Sequence, residues 1–519
     1  MERRAFTILL HSHMPYVRRN GDWPVGEQWI LEAWAECYLP LWELIGEMAE
    51  GRRRGKLALT MTPILAEQLE DAYLRERFAA YLRNRRRQAE EEVVRLRSLG
   101  EEGRSRLASL YARELEGLLS LLEEKYGDGM LSALRRGMEA GVLEVLASSA
   151  THAHLPLLSA DACRAAQVEI GLECYRRSFG RDPVGFWLPE CSYTPQLDRV
   201  LGRFSPPLRY VVLDHTAPDT APLSLPTWRA CRLGGTPLAA FLRDELSHRL
   251  VWEPDGYPSH GEYREYVKRD YQGHGFQYWR ITSPSLPLED KELYDPEAAR
   301  ARARADAEHF AARMRERWDR LPGREPGEEA VLLAAYDAEL FGHWWREGPI
   351  WLREVLDILG PECELPGRVA ATLEPDSLPV LSPARTAWNV DGTFNTWENQ
   401  GTRDIWEVTR GSEEAFLSRC GGERDEAATR ALLQAGRELL LLEASDWSYM
   451  VTRDTAAEYA RERFAAHAER FRHCMAMLER GVEEEALALM EETDNPFSWL
   501  DIRYWARHLE HLPGHRQGE

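Results

Sequence analysis

None of the eight cysteines in this 519-residue chain stands in a C-x-x-C pair, so no redox motif or paired-cysteine metal clip is spelled out. Cys37, Cys163, Cys174, Cys191, Cys231, Cys363, Cys420 and Cys474 read as reduced, mostly buried thiols of a cytoplasmic protein. No apolar run approaches the ~18 residues that a membrane-spanning helix needs. The N-terminus, MERRAFTILLHSHMPYV, starts basic, but its apolar run is short and is broken by His11 and His13. It lacks the longer apolar stretch and small-residue cleavage site of a signal peptide and reads as a first strand. Positive charge is in deficit: 65 Lys and Arg against 86 Asp and Glu leave a net charge of -21. Such a surface argues against nucleic-acid and anionic-membrane partners, which need clustered cations. Internal repeats and low-complexity tracts are absent as well.

What is present is a chain long enough for a large core and more than one domain, with 44% apolar and 29% charged residues. Its 18 tryptophans suit either core packing or stacking on the apolar faces of sugars. Short apolar runs at 5–10, 57–65, 142–152, 184–190, 209–215 and 330–339 alternate with helix-periodic segments at 27–50, 66–139, 160–178 and 296–320. The pattern predicts a parallel α/β architecture. The basic clusters Arg52–Arg54 and Arg85–Arg87 alternate with acidic residues and read as solvated helix faces. Residues 216–280 are rich in Pro, Gly and aromatics and predict an irregular insertion. From about 412 to 510 helical periodicity dominates.

Several predicted strands carry polar residues just past their C-terminal ends, where an α/β barrel gathers its chemistry. Glu190 and Asp337 are two of these, each bordered by large aromatics. Two carboxyl groups flanking one bond are what glycosidic cleavage requires, and an apolar wall keeps one of them protonated near neutral pH. Structural ion pairing is the competing reading of both. His11 and His13 form an i, i+2 pair at a strand end, and His152 and His154 repeat the spacing. Such imidazoles can hydrogen-bond sugar hydroxyls, bind a metal, or serve as satisfied structural groups. In DAELFGHWWREG (337–348), His343 and Trp344 are candidates for a sugar subsite. In EASDWSYM (443–450), Asp446 and Trp447 interrupt a Leu- and Ala-rich helix, as a sugar contact or as a helix cap.

HSHMP (11–15), ATHAHLP (150–156), GFWLPE (185–190), YDAELFGHWW (336–345) and LLEASDW (441–447) together resemble glycoside hydrolase family 57, in that family's order and across nearly the whole chain. Within it, GYP (256–258), YREY (263–266), YWRIT (278–282) and DNPF (494–497) are most similar to the α-1,4-glucan branching enzymes and their amylase-like relatives. The resemblance implies an incomplete (β/α)7 barrel with helical insertions, and a C-terminal helical domain that closes over the active site. Residues 1–380 would form the catalytic barrel, with a helical insertion at about 66–139 and an irregular inserted subdomain at about 191–280. Residues 381–519 would form the helical domain. It also implies a retaining mechanism with no metal and no cofactor, acting on an α-glucan such as amylose, glycogen or a starch-like polymer. Glu190 would be the nucleophile and Asp337 the general acid/base. The substrate-binding candidates are His11, His13, His152, Trp187, Arg264, Gly275, Trp279, His343, Trp344, Trp388, Trp397, Asp446 and Trp447.

The sequence departs from the branching-enzyme pattern twice. Those enzymes usually carry a long loop with a Tyr at its tip after the strand that ends near Asp214; here 216–240 is short and has no Tyr. Thr455 stands nine residues after Asp446, where Gln is usual. A missing lid favours water over a sugar hydroxyl as acceptor. An α-amylase or a 4-α-glucanotransferase of the same family is therefore the alternative, and a zinc-dependent deacetylase or mannosidase-like barrel is a more distant one.

Overall fold

The computed structural model describes residues 4–22, 25–127, 129–324, 329–389 and 391–509. Its sheet contains β1 (Phe6–Ser12), β2 (Leu57–Met61), β3 (Leu143–Ser148), β4 (Gly185–Trp187), β5 (Tyr210–Leu213), β6 (Cys231–Leu233), β7 (Ala239–Leu242), β8 (Leu332–Asp337) and β9 (Val380–Leu381), in the order β8-β1-β2-β3-β4-β5-β7-β6-β9. The seven strands from β8 through β7 run parallel. β6 pairs antiparallel with β7, and β9 pairs with β6. β1 shows why the sheet is parallel and covered on both faces: FTILLHS is buried at every position. The row curls so that Arg243, just past β7, bridges Leu333 of β8, with Asp244 N–H donating to the Leu333 carbonyl at 2.7 Å. One such bridge in place of a ladder makes a (β/α)7 barrel that is incomplete.

Three sequence expectations change. The strand predicted at 57–65 stops at Met61, because Pro63 starts the helix Pro63–Glu70. The strand predicted at 184–190 stops at Trp187, ahead of Pro189. The stretch 216–280 is not irregular throughout: Ala239–Leu242 is a barrel strand and Glu245–Trp252 a helix capped by Asp244. AAFL is only four residues long and lacks β-branched side chains, so it gave little strand signal.

The helix-periodic stretch 66–139 folds as Pro63–Glu70, Ala72–Ser98, Glu102–Lys125 and Ser132–Glu139. The two long helices pair as a hairpin, the first capped by Asp71, which accepts from Leu74 N–H. Beyond the barrel lie Arg403–Leu417, Glu426–Leu442, Asp446–Arg453, Ala457–Arg480 and Glu484–Thr493. A buried polar cluster ties these helices together: His467 Nδ1 meets Glu438 at 2.7 Å, and Arg470 pairs with Asp494. The last residues of the expected helical domain, 510–519, lie outside the described residues. All eight cysteines are buried and unpaired. Among the described residues no helix is long and apolar enough to cross a membrane.

Candidate active site

The parallel register brings the predicted residues to one end of the barrel. His11, near the end of β1, stands opposite Asp337 on β8 and Thr60 on β2. His152 follows β3, and Glu190 follows β4. The carboxyl ends of these strands open into a cleft of about 940 Å³ lined by His11, His13, His152, Glu190, Asp337, Glu339, His343, Trp344 and Asp446, among others. This is where a parallel barrel exposes side chains from several strands to one space.

Glu190 reaches the cleft through an uncommon backbone. Its φ is 58° and ψ 24°, Cys191 follows at φ 49°, and His152 has φ 57°. Left-handed conformations cost non-glycine residues about 1–3 kcal/mol and persist where the surroundings over-determine them. Here Trp388 N–H donates to the Glu190 carbonyl at 2.5 Å, and the Arg243 guanidinium lies 4.2 Å from the Trp388 ring centre. Arg243 is itself sealed in the core, paired with Asp214 and 2.7 Å from His248 Nδ1. A buried fork thus braces the indole that braces Glu190.

Burial pushes both carboxyl groups up. Glu190 rises well above the ordinary carboxylate range, through loss of water first and then repulsion from Asp337 and Asp446. Asp337 is pushed up to about 6 by burial, with Arg243 and His13 pulling the other way. Repulsion between two carboxyl groups that face one cleft adds to the rise at Glu190. Glu339, two residues on, is pushed up to about 8 by burial and by Asp337. Its Oε1 accepts from Tyr38 Oη at 2.5 Å and from His13 N–H at 3.2 Å.

His11, His13 and His152 form one wall, with His13 stacked on His152 at 3.9 Å between ring centres. His11 Nε2 lies 3.0 Å from His152 Nε2, so one donates and the other accepts. His11 Nδ1 meets Thr60 Oγ1 at 2.5 Å, and His152 Nδ1 meets Ser445 Oγ at 3.0 Å. His13 meets Thr62 Oγ1 at 3.1 Å and Asp446 Oδ1 at 2.9 Å. Every ring nitrogen of the three has a protein partner. Burial holds His11 and His152 well below the usual imidazole value, so both stay neutral. Asp446 therefore turns to His13 instead of capping its own helix. His154 points elsewhere, against Ser192 Oγ at 2.8 Å and the Phe394 ring.

The remaining candidates divide. His343, Trp344 and Gly275 line the cleft. Gly342 sets up His343: its φ is +111°, and a Cβ there would sit 1.8 Å from the Glu36 carbonyl oxygen. The close approach brings His343 Nδ1 to 2.6 Å from Glu36. Trp388 stands behind Glu190, outside the cleft lining. Trp187, Trp397 and Trp447 are sealed in the core and do not face the cleft. Trp187 stacks behind His11 with ring centres 4.8 Å apart, Trp397 packs on His154, and Trp447 donates to the Leu441 carbonyl. Trp279 lies under Lys268 in a separate hollow with Gly100 and Arg104. Arg264 lines a neighbouring cavity rather than the cleft. The exposed aromatic faces in the cleft belong instead to Tyr266, Tyr271, Trp344 and Tyr449, with Trp29 partly buried beside them. Of these, Trp344 carried a sequence signal of its own, and Tyr266 lay within YREY. Arg243 and Glu339 were also missed; Glu339 sits inside the DAELFGHWW run, whereas nothing local marks Arg243.

The description "Glycosyl hydrolase family 57" matches residues 7–364, and "1,4-alpha-glucan branching enzyme, C-terminal" matches 413–505. The chain is 34% identical to a 1,4-alpha-glucan branching enzyme of Thermococcus kodakarensis, over 95% of this chain and 77% of that protein. The structure resembles the GH57-type branching enzyme of Pyrococcus horikoshii, at TM-score 0.89 and 32% identity over 97% of this chain and 96% of that one. It also resembles the alpha-amylase AmyC of Thermotoga maritima, at TM-score 0.85 and 29% identity over 98% and 99%.

Proposed function

The chain belongs to glycosyl hydrolase family 57, and from that premise we propose that Glu190 is its nucleophile and Asp337 its general acid and base. It is an enzyme of glycosidic bonds, and its reaction is 1,4-α-glucan branching: an α-1,4 bond of an α-glucan is broken and an α-1,6 bond is made. The observation that carries the assignment of residues is the placement of two carboxyl groups of raised proton affinity at the ends of β4 and β8, facing one cleft.

Glu190, ionised, attacks the anomeric carbon of a glucosyl unit while Asp337 protonates the departing O4. The product is a β-linked glucosyl-enzyme. Asp337, now the base, takes the proton from an incoming O6, and that oxygen displaces Glu190. His11, His13 and His152 hold the reacting sugar by exchanging a present hydrogen bond, such as the His11–His152 contact, for a hydroxyl. Asp446, Tyr449 and Met450 of one C-terminal helix, with Thr455 in the turn after it, complete the cleft wall, which gives the C-terminal helical region its part in catalysis. The physiological polymer is a glycogen- or starch-like glucan, and eight unpaired buried thiols suit a reducing cytoplasm.

One observation favours a share of hydrolysis. Among the described residues, none from 216–240 lines the cleft. Water then competes with O6 for the glucosyl-enzyme. Incubation with amylose, followed by debranching and chain-length analysis alongside reducing-end release, tests the reading. New α-1,6 branches outnumbering new reducing ends support it; abundant reducing ends without branches replace it with an amylase.

A further inference from the structure

A second cavity of about 990 Å³ lies beneath the hairpin Ala72–Ser98/Glu102–Lys125, beside the cleft. The two spaces share Glu32, Arg85 and Arg269 as lining, and the 2.6 Å pair of His343 on the cleft side with Glu36 on the cavity side lies where they meet. The cavity is therefore the continuation of the cleft rather than a remote hollow.

Its lining names its occupant by chemistry. Seven arginines face seven carboxylates around it, so its lining carries no net formal charge that would select an anion or a cation. It does have donors and acceptors on every side, which a neutral polyol can use. Leucines of the Glu102–Lys125 helix, from Leu107 to Leu121, supply an apolar strip, and Tyr81 and Phe276 add ring surface. Alternating hydroxyl edges and C–H faces are what an α-1,4-glucan presents to such a wall. The hairpin also grips the cleft rim: Asp270 pairs with Arg95 at 2.7 Å and with Arg104 at 3.0 Å, and Arg85 donates to the His274 carbonyl at 2.9 Å. Cleft and cavity are thus braced as one path.

We propose that this cavity holds the outer part of the donor glucan whose cleaved bond lies in the cleft, and so sets the length of chain transferred. The inference rests on the branching reading above. Gly117 allows a clean test. It lies exposed on the Glu102–Lys125 helix, lines the cavity, and a Cβ there would meet nothing within 4 Å. Gly117→Trp puts an indole on the cavity's lining without straining the helix, since most residues are better helix formers than glycine. Gly411→Trp, on the Arg403–Leu417 helix with equally open surroundings, is the matched control away from the cavity.

Wild type and both variants are given amylose, the products are debranched, and the chain-length profiles are compared. The profile from Gly117→Trp shifts to shorter transferred chains, while that from Gly411→Trp superimposes on wild type. A Gly117→Trp profile identical to wild type overturns this inference and leaves the branching reading standing. A wild-type enzyme that makes no branches overturns both.

Discussion

Glu190 is held in a left-handed backbone and in a partly desolvated site, and the two costs can be separated in one set of variants. Replacing Glu190 by Gly or by Ala removes the carboxyl equally, but only Gly accepts φ 58° freely. The Gly variant should be more stable than the Ala variant by about 1–2 kcal/mol. With an unfolding entropy of roughly 2.1 cal/mol/K per residue, a chain of this length has about 1.1 kcal/mol/K, so the difference in Tm is about 1–2 °C. This gap carries no charge and should not vary with pH. Glu190→Gln keeps the backbone strain and removes the ionisation. Because the native carboxyl is raised above its unfolded value, the native state binds more protons across that window, and stability falls there as pH rises. Gln does not titrate. Its advantage over wild type should be nil below about pH 4 and grow towards neutrality, by ~1.4 kcal/mol for each unit the native carboxyl is raised. Scanning calorimetry of the four proteins between pH 4 and 8 reads both effects. Equal stability of the Gly and Ala variants would refute the strain; a Gln advantage independent of pH would refute the desolvation.

Other outcomes follow from the same geometry. Arg243→Met strips the buried Asp214 of its guanidinium, leaving it only the Thr216 and His215 contacts, and takes the brace from Trp388; it should cost about 3 kcal/mol in denaturant melts, with activity falling alongside. Glu339 is pushed up from 4.5 to about 8, so it costs the protein stability progressively as pH rises between those values; the Tm advantage of Glu339→Gln should grow across that window and level off above about 8. Asp446 raises the proton affinity of Glu190, so in Asp446→Asn the acidic limb of the kcat/KM profile should move to lower pH.

The barrel was legible because its strands announce themselves. β1, β3 and β8 are apolar runs that end in polar residues, and those polar residues turned out to share a cleft. Glu190, Asp337, His11, His13, His152, His343 and Trp344 could be picked from motifs because each stands at or just past a strand end, and Asp446 because it opens a helix with a polar residue on an apolar background. The tryptophans were harder. Trp187 and Trp447 sit next to cleft residues in sequence, yet strand alternation and helix phase turn them into the core. Arg243 escaped notice because its partners, Asp214, His248 and Trp388, are brought to it by different segments. β7 was hidden by its brevity, and the cavity beneath the hairpin exists only because two long helices, each readable as a solvated amphipathic segment, lean over the barrel.

Trapping the intermediate tests the central claim most directly. An activated α-glucosyl donor with a good leaving group, given to the Asp337→Asn enzyme, needs no acid to form the glucosyl-enzyme and has no base to discharge it. Peptide mass analysis after proteolysis should find the glucosyl label on the peptide bearing Glu190. A label on any other carboxylate, or none at all while donor is consumed, would contradict the account.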